Sequence, residues 1–168
     1  MHLDDGHVHD TPPEYLELLG IVRSYQRSRA VTVAAELGVA DLLRNGPRDA
    51  DDLAAATGTH GPSLYRLLRA LASVGVFTED ADGRFALTPT GEYLRRDHPL
   101  SVDPAARMFG ADYQWRAWGE LAHTVRTGEN AAVHVLGMDE VPASLHASDL
   151  RQRVPAPHLV DVFEIRHS

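Results

Sequence analysis

Residues 53–77 read LAAATGTHGPSLYRLLRALASVGVF, and this stretch decides the fold. Leu53 and Ala54–Ala56 begin a short helical segment that Gly58 ends, since glycine accepts the left-handed conformation that closes a helix. Thr59 or His60 caps the next helix, with Pro62 in its first turn, where the missing N–H costs nothing. Leu64, Leu67, Leu68 and Leu71 recur at helical spacing and form its buried stripe, while Arg66, Arg69 and Ser73 fall on the other side. Gly75 stops this helix, and Val76-Phe77 begins a strand. Two short helices around a tight turn, running into a strand, spell a helix-turn-helix.

Downstream, Val76-Phe77-Thr78 and Phe85-Ala86-Leu87 flank EDADGR (79–84), whose Asp82-Gly83 is a hairpin signal. These strands make a two-stranded wing. Thr88-Pro89 then opens a helix carrying Tyr93 and Leu94. Upstream, VADLLRNGP (39–47) is a short helix closed by Asn45-Gly46-Pro47. Asp49 caps the helix after it, with Asp52 in the capping-box position. The expected fold is mainly α: a winged helix-turn-helix with long flanking helices.

The first flank opens at Thr11-Pro12-Pro13-Glu14, with Thr11 as N-cap and Pro12 at the first helical position. Tyr15, Leu18, Val22 and Tyr25 recur at helical spacing, and Leu16 and Leu19 widen the stripe. A polar patch, SYQRSR (24–29), interrupts the pattern before it resumes through Val33 and Leu37 and stops near Gly38. The second flank, 104–127, reads helical with a break near Gly110. Trp115, Trp118, Leu121, Ala122 and Val125 follow one period, and Gly128 is the stop. A weaker segment covers 130–136. Both flanks carry more apolar surface than a small winged helix can cover.

Composition narrows the function. The chain has 168 residues, a net charge of −8 and no cysteine, which excludes disulfides, thiolate metal sites and Cys nucleophiles. All sixteen basic residues are arginine, consistent with a GC-rich gene. No apolar run approaches a membrane span, and MHLDDGHVHD lacks the order of a signal peptide, so a cytoplasmic location is expected. Nucleic acid is disfavoured. Residues 48–96 hold six arginines against seven acids, and the wing tip carries Glu79, Asp80 and Asp82 with one Arg84. Only Arg66 and Arg69 on the second helix could face base edges.

The run AAELGVADLL…GP…DLAAATGTHGPSLYRLLRALASVGVF…GRFALTPTGEYLR, followed by RAWGELAHTVRTGENA…GM, resembles the N-terminal part of S-adenosylmethionine-dependent small-molecule O-methyltransferases. These are the bacterial natural-product enzymes related to the caffeic-acid type. The likeness covers roughly residues 14–138, with the pieces in the family's order and spacing. It implies a homodimerisation domain built on a winged helix, which also helps close the partner's substrate pocket. The dimer face would include Tyr15, Leu18, Leu19, Val22, Tyr25 and Leu121. Met108, Phe109, Tyr113 and Trp115 would line the lid over an aromatic or polyketide-like acceptor. Ordinary core packing is the alternative for Met108, Phe109 and Tyr113, and the preferred reading for Trp118.

The family continues into a Rossmann-like domain whose D-x-G-x-G-x-G turn approaches the cofactor. No such turn occurs here, and no histidine matches the family's catalytic base. The resemblance therefore places S-adenosylmethionine in the full-length family and none in this chain, with no catalytic or cofactor-binding residue assigned. The expectation is a truncated chain that is inactive alone. A small-molecule substrate is expected only with a complete methyltransferase domain. Residues 1–10 read as disordered and 11–138 as the domain. Residues 139–168 hold three prolines and three histidines without a period. They are either an out-of-frame tail, the favoured reading, or an authentic tail that packs on the domain. Two other functions stay open: a winged-helix transcriptional regulator, and a non-catalytic dimer partner of a separate methyltransferase. His7, His9 and Asp10 lack the fixed geometry of a metal site, and His123 and His134 are read as solvated or satisfied rather than as ligands.

Overall fold

The computed structural model describes residues 11–137. The expected disorder of 1–10, the GHVHD histidines and the 139–168 tail lie outside them.

The chain opens with α1 (Pro13–Glu36), an unbroken helix of 24 residues. The polar patch at 24–29 does not interrupt it, because those side chains lie on exposed turns and demand no change of backbone. The start differs from expectation: Pro12 occupies the cap position with φ −56° and ψ 140°, and the helix begins at Pro13. The cause is local, since a residue preceding proline is pushed out of the helical region. Gly38, at φ 67°, then turns the chain into α2 (Val39–Leu42).

The next elements are β1 (Arg48–Asp49), α3 (Ala50–Thr57), α4 (Gly61–Ala72), β2 (Phe77–Glu79) and β3 (Arg84–Leu87). Asp49 caps α3 as expected, its carboxylate accepting the Asp52 N–H at 2.7 Å. Gly58 closes the helix at φ 66°. His60 starts α4, and its Nδ1 lies 2.9 Å from the Ser63 hydroxyl. The wing is not two-stranded, as expected, but a three-stranded antiparallel sheet in the order β1-β3-β2. Arg48 pairs with Phe85 and Asp49 with Arg84. A two-residue strand is too short to show a period, so only its pairing reveals it.

The core lies between α1's C-terminal half, α2, α3, α4 and the sheet. Val39, Leu53, Leu68, Leu71, Phe77 and Phe85 are at most 1% exposed. Each such side chain contributes about 1.5–3 kcal/mol of transfer free energy. Leu64 joins them, while Leu67 is only half-buried. Thr88 locks the wing to the following 3-10 turn (Gly91–Leu94). Its hydroxyl is shared between the Gly75 and Val76 carbonyls and accepts the Gly91 N–H at 3.0 Å.

Beyond the wing come α5 (Asp103–Phe109), α6 (Asp112–Gly119), α7 (Leu121–Thr127) and α8 (Ala131–Leu136). Thus the 104–127 segment breaks twice, at Gly110 and again at Glu120. Helix α5 packs on α1 through Thr32, which is 1% exposed and shares its hydroxyl between the Ser28 and Ala106 carbonyls. Gly110 is required at this approach, because a β-carbon there would stand 2.1 Å from Thr32 Cγ2. Gly128, at φ 78°, ends α7 as expected.

Candidate interface and pocket wall

The first half of α1 extends past the body of the domain. At about 100° per residue, Tyr15, Leu18, Ile21, Val22 and Tyr25 fall within one arc of the helix. All five are between 55% and 64% exposed. A second arc carries Leu16 and Leu19 toward α4, where with Ala70 and Val74 they line a groove of about 410 Å³. The apolar residues of α1 thus serve two directions, one where Leu19 is half-buried toward α4 and Leu16 remains exposed, and one open along its length.

Of the residues singled out for the dimer face, Tyr15, Leu18, Val22 and Tyr25 share the open arc. Leu19 is half-buried toward α4, and Leu121 is half-buried at the start of α7. Ile21 belongs to the arc but was not in the expected set. Its signal was its position three residues after Leu18 and four before Tyr25, on the edge of the same stripe.

The pocket-wall residues divide similarly. Phe109 is 44% exposed, while Met108, Tyr113 and Trp115 are half-buried. Trp118 is 41% exposed rather than core, and Ala117 takes the buried position beside it. That small side chain faces inward because α6 rolls its alanine, not its indole, onto the domain. Trp115 meets Tyr25 edge to face, with ring centroids 6.2 Å apart at 77°. The open arc of α1 and the expected lid therefore touch. Between them is a cavity of about 500 Å³, lined by Tyr25, Arg29, Glu36, Gly110, Ala111, Asp112 and Trp115. Arg29 holds its mouth by donating to the Gly110 carbonyl at 2.8 Å and approaching Glu36 at 3.6 Å. The Trp115 indole N–H is buried without an acceptor among the described residues. Such a group costs about 1–3 kcal/mol until an acceptor reaches it.

Of the two arginines on the outward face of α4, Arg66 donates to the Ser63 hydroxyl at 3.3 Å and Arg69 is drawn to an acid of the wing. Arg69 lies 3.4 Å from Glu79, which also accepts the Tyr65 hydroxyl at 3.0 Å. Arg84 pairs with Asp80 at 2.9 Å and Asp82 at 3.3 Å. Hydrogen bonds from Arg84 hold the Asp80 carboxyl below its ordinary range. Further along, Arg95 and Arg44 donate to Asp97 and lower its pKa to about 2, and the same contacts with Asp97 and Glu92 raise that of Arg95. Arg69, Arg84, Arg95 and Arg44 are thus paired with acids of the same domain, while Arg66 is not among these pairs.

Among the described residues no helix is long and apolar enough to cross a membrane. The family model for the O-methyltransferase dimerisation domain matches residues 19–97. A phenazine O-methyltransferase from Lysobacter antibioticus is 45% identical over 68% of this chain and 33% of its own length. The crystal structure of an N,N-8-amino-8-demethyl-D-riboflavin dimethyltransferase from Streptomyces davawensis superposes with a TM-score of 0.71, at 32% identity, over 84% of this chain and 42% of that one. An O-methyltransferase from neocarzinostatin biosynthesis, solved with S-adenosylmethionine and 2-hydroxy-5-methyl naphthoic acid, gives a TM-score of 0.58 at 42% identity, covering 67% of this chain and 35% of that one. The chain spans about a third of the length of the curated relatives it matches.

Proposed function

We propose, on the premise that the chain belongs through residues 19–97 to the O-methyltransferase dimerisation-domain family, that residues 11–137 form the homodimerisation and substrate-lid module of an S-adenosylmethionine-dependent methyltransferase. Its acceptor is a small aromatic or polyketide-like hydroxyl, and its place is the cytoplasm. The observation that carries this reading is the open apolar arc of α1 running into the Tyr25–Trp115 cavity. Five large apolar side chains on one exposed arc are more than a monomer normally leaves in water. A second copy laid along α1 would cover them and could bring an acceptor to the Trp115 N–H.

In this reading Met108, Phe109, Tyr113 and Trp115 shape the acceptor's surroundings and do no chemistry. Aromatic faces and a flexible methionine suit a planar acceptor by stacking and adapting to its outline. Methyl transfer needs a base to remove the hydroxyl proton while the oxygen attacks the sulfonium methyl. Cofactor and base are assigned to a Rossmann-like domain, not to residues 11–137. DNA reading is disfavoured by the acidic wing tip, where Glu79, Asp80 and Asp82 pair with Arg69 and Arg84 and leave Arg66 as the one base-facing arginine of α4 without an acidic partner in these pairs.

Sedimentation velocity on the full chain tests the assembly. The expected result is a dimer that becomes a monomer in Leu18→Glu/Val22→Glu, with helical circular dichroism retained. A wild-type monomer, or a double variant that stays dimeric, overturns the reading.

A further inference from the structure

We propose that His123, Glu129 and His134 form a binding site for a divalent transition-metal cation, with Zn2+ as the occupant that suits the donor set. One donor atom from each residue lies within 4.8 Å of the other two. His123 Nε2 is 2.7 Å from Glu129 Oε2, and His134 Nδ1 is 3.9 Å from that same oxygen. The two imidazoles stack with centroids 3.9 Å apart and planes 14° apart. Two neutral imidazoles and one carboxylate are the ligand types zinc takes at about 2.0–2.1 Å, leaving a fourth position for water. In a tetrahedron of that size the donors stand roughly 3.3–3.4 Å apart. Binding therefore moves the His123–Glu129 pair, at 2.7 Å, apart by roughly 0.6 Å and closes the His134–Glu129 gap, at 3.9 Å, by roughly 0.5 Å, with His134 tilting out of the stack. The exposure of the His134 side chain, 46%, permits that movement.

The donors come from three backbone segments, and the fold holds each of them. His123 lies within α7, Glu129 in the connection, and His134 within α8. Gly128 closes α7 with its N–H on the Thr124 carbonyl at 2.8 Å. Thr127 Oγ1 accepts the Glu129 N–H at 3.1 Å, and Thr124 Oγ1 accepts the Ala131 N–H at 2.9 Å. Asn130 Oδ1 accepts the Ala132 N–H at 2.8 Å, and Ala131 is fully buried. The connection is therefore set before any ion arrives. His134 Nδ1, 3.9 Å from Glu129 Oε2, is too far for a hydrogen bond to it. A cation shared by both rings and the carboxylate gives His134 Nδ1 a partner and ties α7 to α8.

The test is thermal unfolding of the tag-free full chain with ZnCl2 against EDTA. Other histidines, including His7 and His9, can also take up zinc, so stoichiometry alone does not identify this site. A site present only in the folded state raises the melting temperature, whereas one that binds folded and unfolded chains equally does not. The expected rise is roughly 4–8 °C at saturation, retained in His7→Ala/His9→Ala and lost in His134→Ala and in Glu129→Gln. Glu129→Gln keeps a hydrogen-bonding side chain but removes the anionic ligand, so it separates metal binding from loss of the fold. No rise in the wild type, or an undiminished rise in Glu129→Gln and His134→Ala, overturns the proposal.

Discussion

The winged-helix core and the first half of α1 are both rich in apolar side chains, and they spend them differently. In the core, Val39, Leu53, Leu68, Phe77 and Phe85 are removed from water by elements of the same domain. On α1, Tyr15, Leu18, Ile21, Val22 and Tyr25 stand more than half exposed. The difference shows that apolar content alone does not locate a core. A stripe becomes core only where a second element of the chain reaches it, and α4 reaches only the Leu16–Leu19 side of α1. The remaining arc is where association gains most, because its transfer free energy is still unrealised.

Breaking the closed side should have the largest effect. Phe85→Ala empties a fully buried position at the centre of the sheet and against the Tyr65 ring. It should cost about 3–5 kcal/mol, read as a lower urea midpoint at every protein concentration.

Breaking the open side should act through mass action instead. Leu18→Glu/Val22→Glu should weaken self-association by about 100-fold or more, or about 2.7 kcal/mol. Its signature is loss of the concentration dependence of the wild-type melting temperature. A denaturation midpoint that falls as steeply as in Phe85→Ala would place these residues in the core and erase the contrast.

A third substitution probes the seam between the two regions. Gly110→Ala puts a methyl group against the buried Thr32 side chain, where α1 meets α5. Overpacking of this kind costs about 1–3 kcal/mol. It should also shift near-ultraviolet circular dichroism from Trp115, which follows on α6. An unchanged spectrum would separate the seam from the pocket wall.

The smallest effect is electrostatic. The Asp97 carboxyl, ordinarily at 3.8, is held at about 2 by Arg95 and Arg44. A depressed carboxylate pKa stabilises the fold above the unfolded value, and that contribution is lost as pH falls through the folded value. Wild type should therefore exceed Asp97→Asn by a constant margin above about pH 5, narrowing between about pH 4 and pH 2. The margin should be small and salt-sensitive, since the pair is exposed.

The helix-turn-helix was legible because its cues are local. The Asp49 cap, the Gly58 and Gly128 stops and the leucine stripe of α4 each involve residues within one or two turns. The family likeness was legible for the same reason, as a succession of such cues in order. The interface was legible only in part. Periodicity marked Tyr15, Leu18, Val22 and Tyr25 as one face but could not say whether that face is covered. It also took Trp118 for core, where the structure buries Ala117. A helical period reports which residues share a side and is silent on how the helix is rolled against its neighbours.

The amino-acid sequence by itself determined the helix-turn-helix and its hairpin order, the Asp49 cap, the Gly58 and Gly128 stops and the absence of thiol chemistry, because these follow from short-range sterics, hydrogen bonding and residue type. Only the tertiary structure decided that Arg48–Asp49 joins the wing as a third strand, that Tyr25 meets Trp115 across 90 residues, and that His123, Glu129 and His134 converge. Each of these depends on where separate elements come to rest. Those distances are set by the packing of the whole core, and no local pattern carries them.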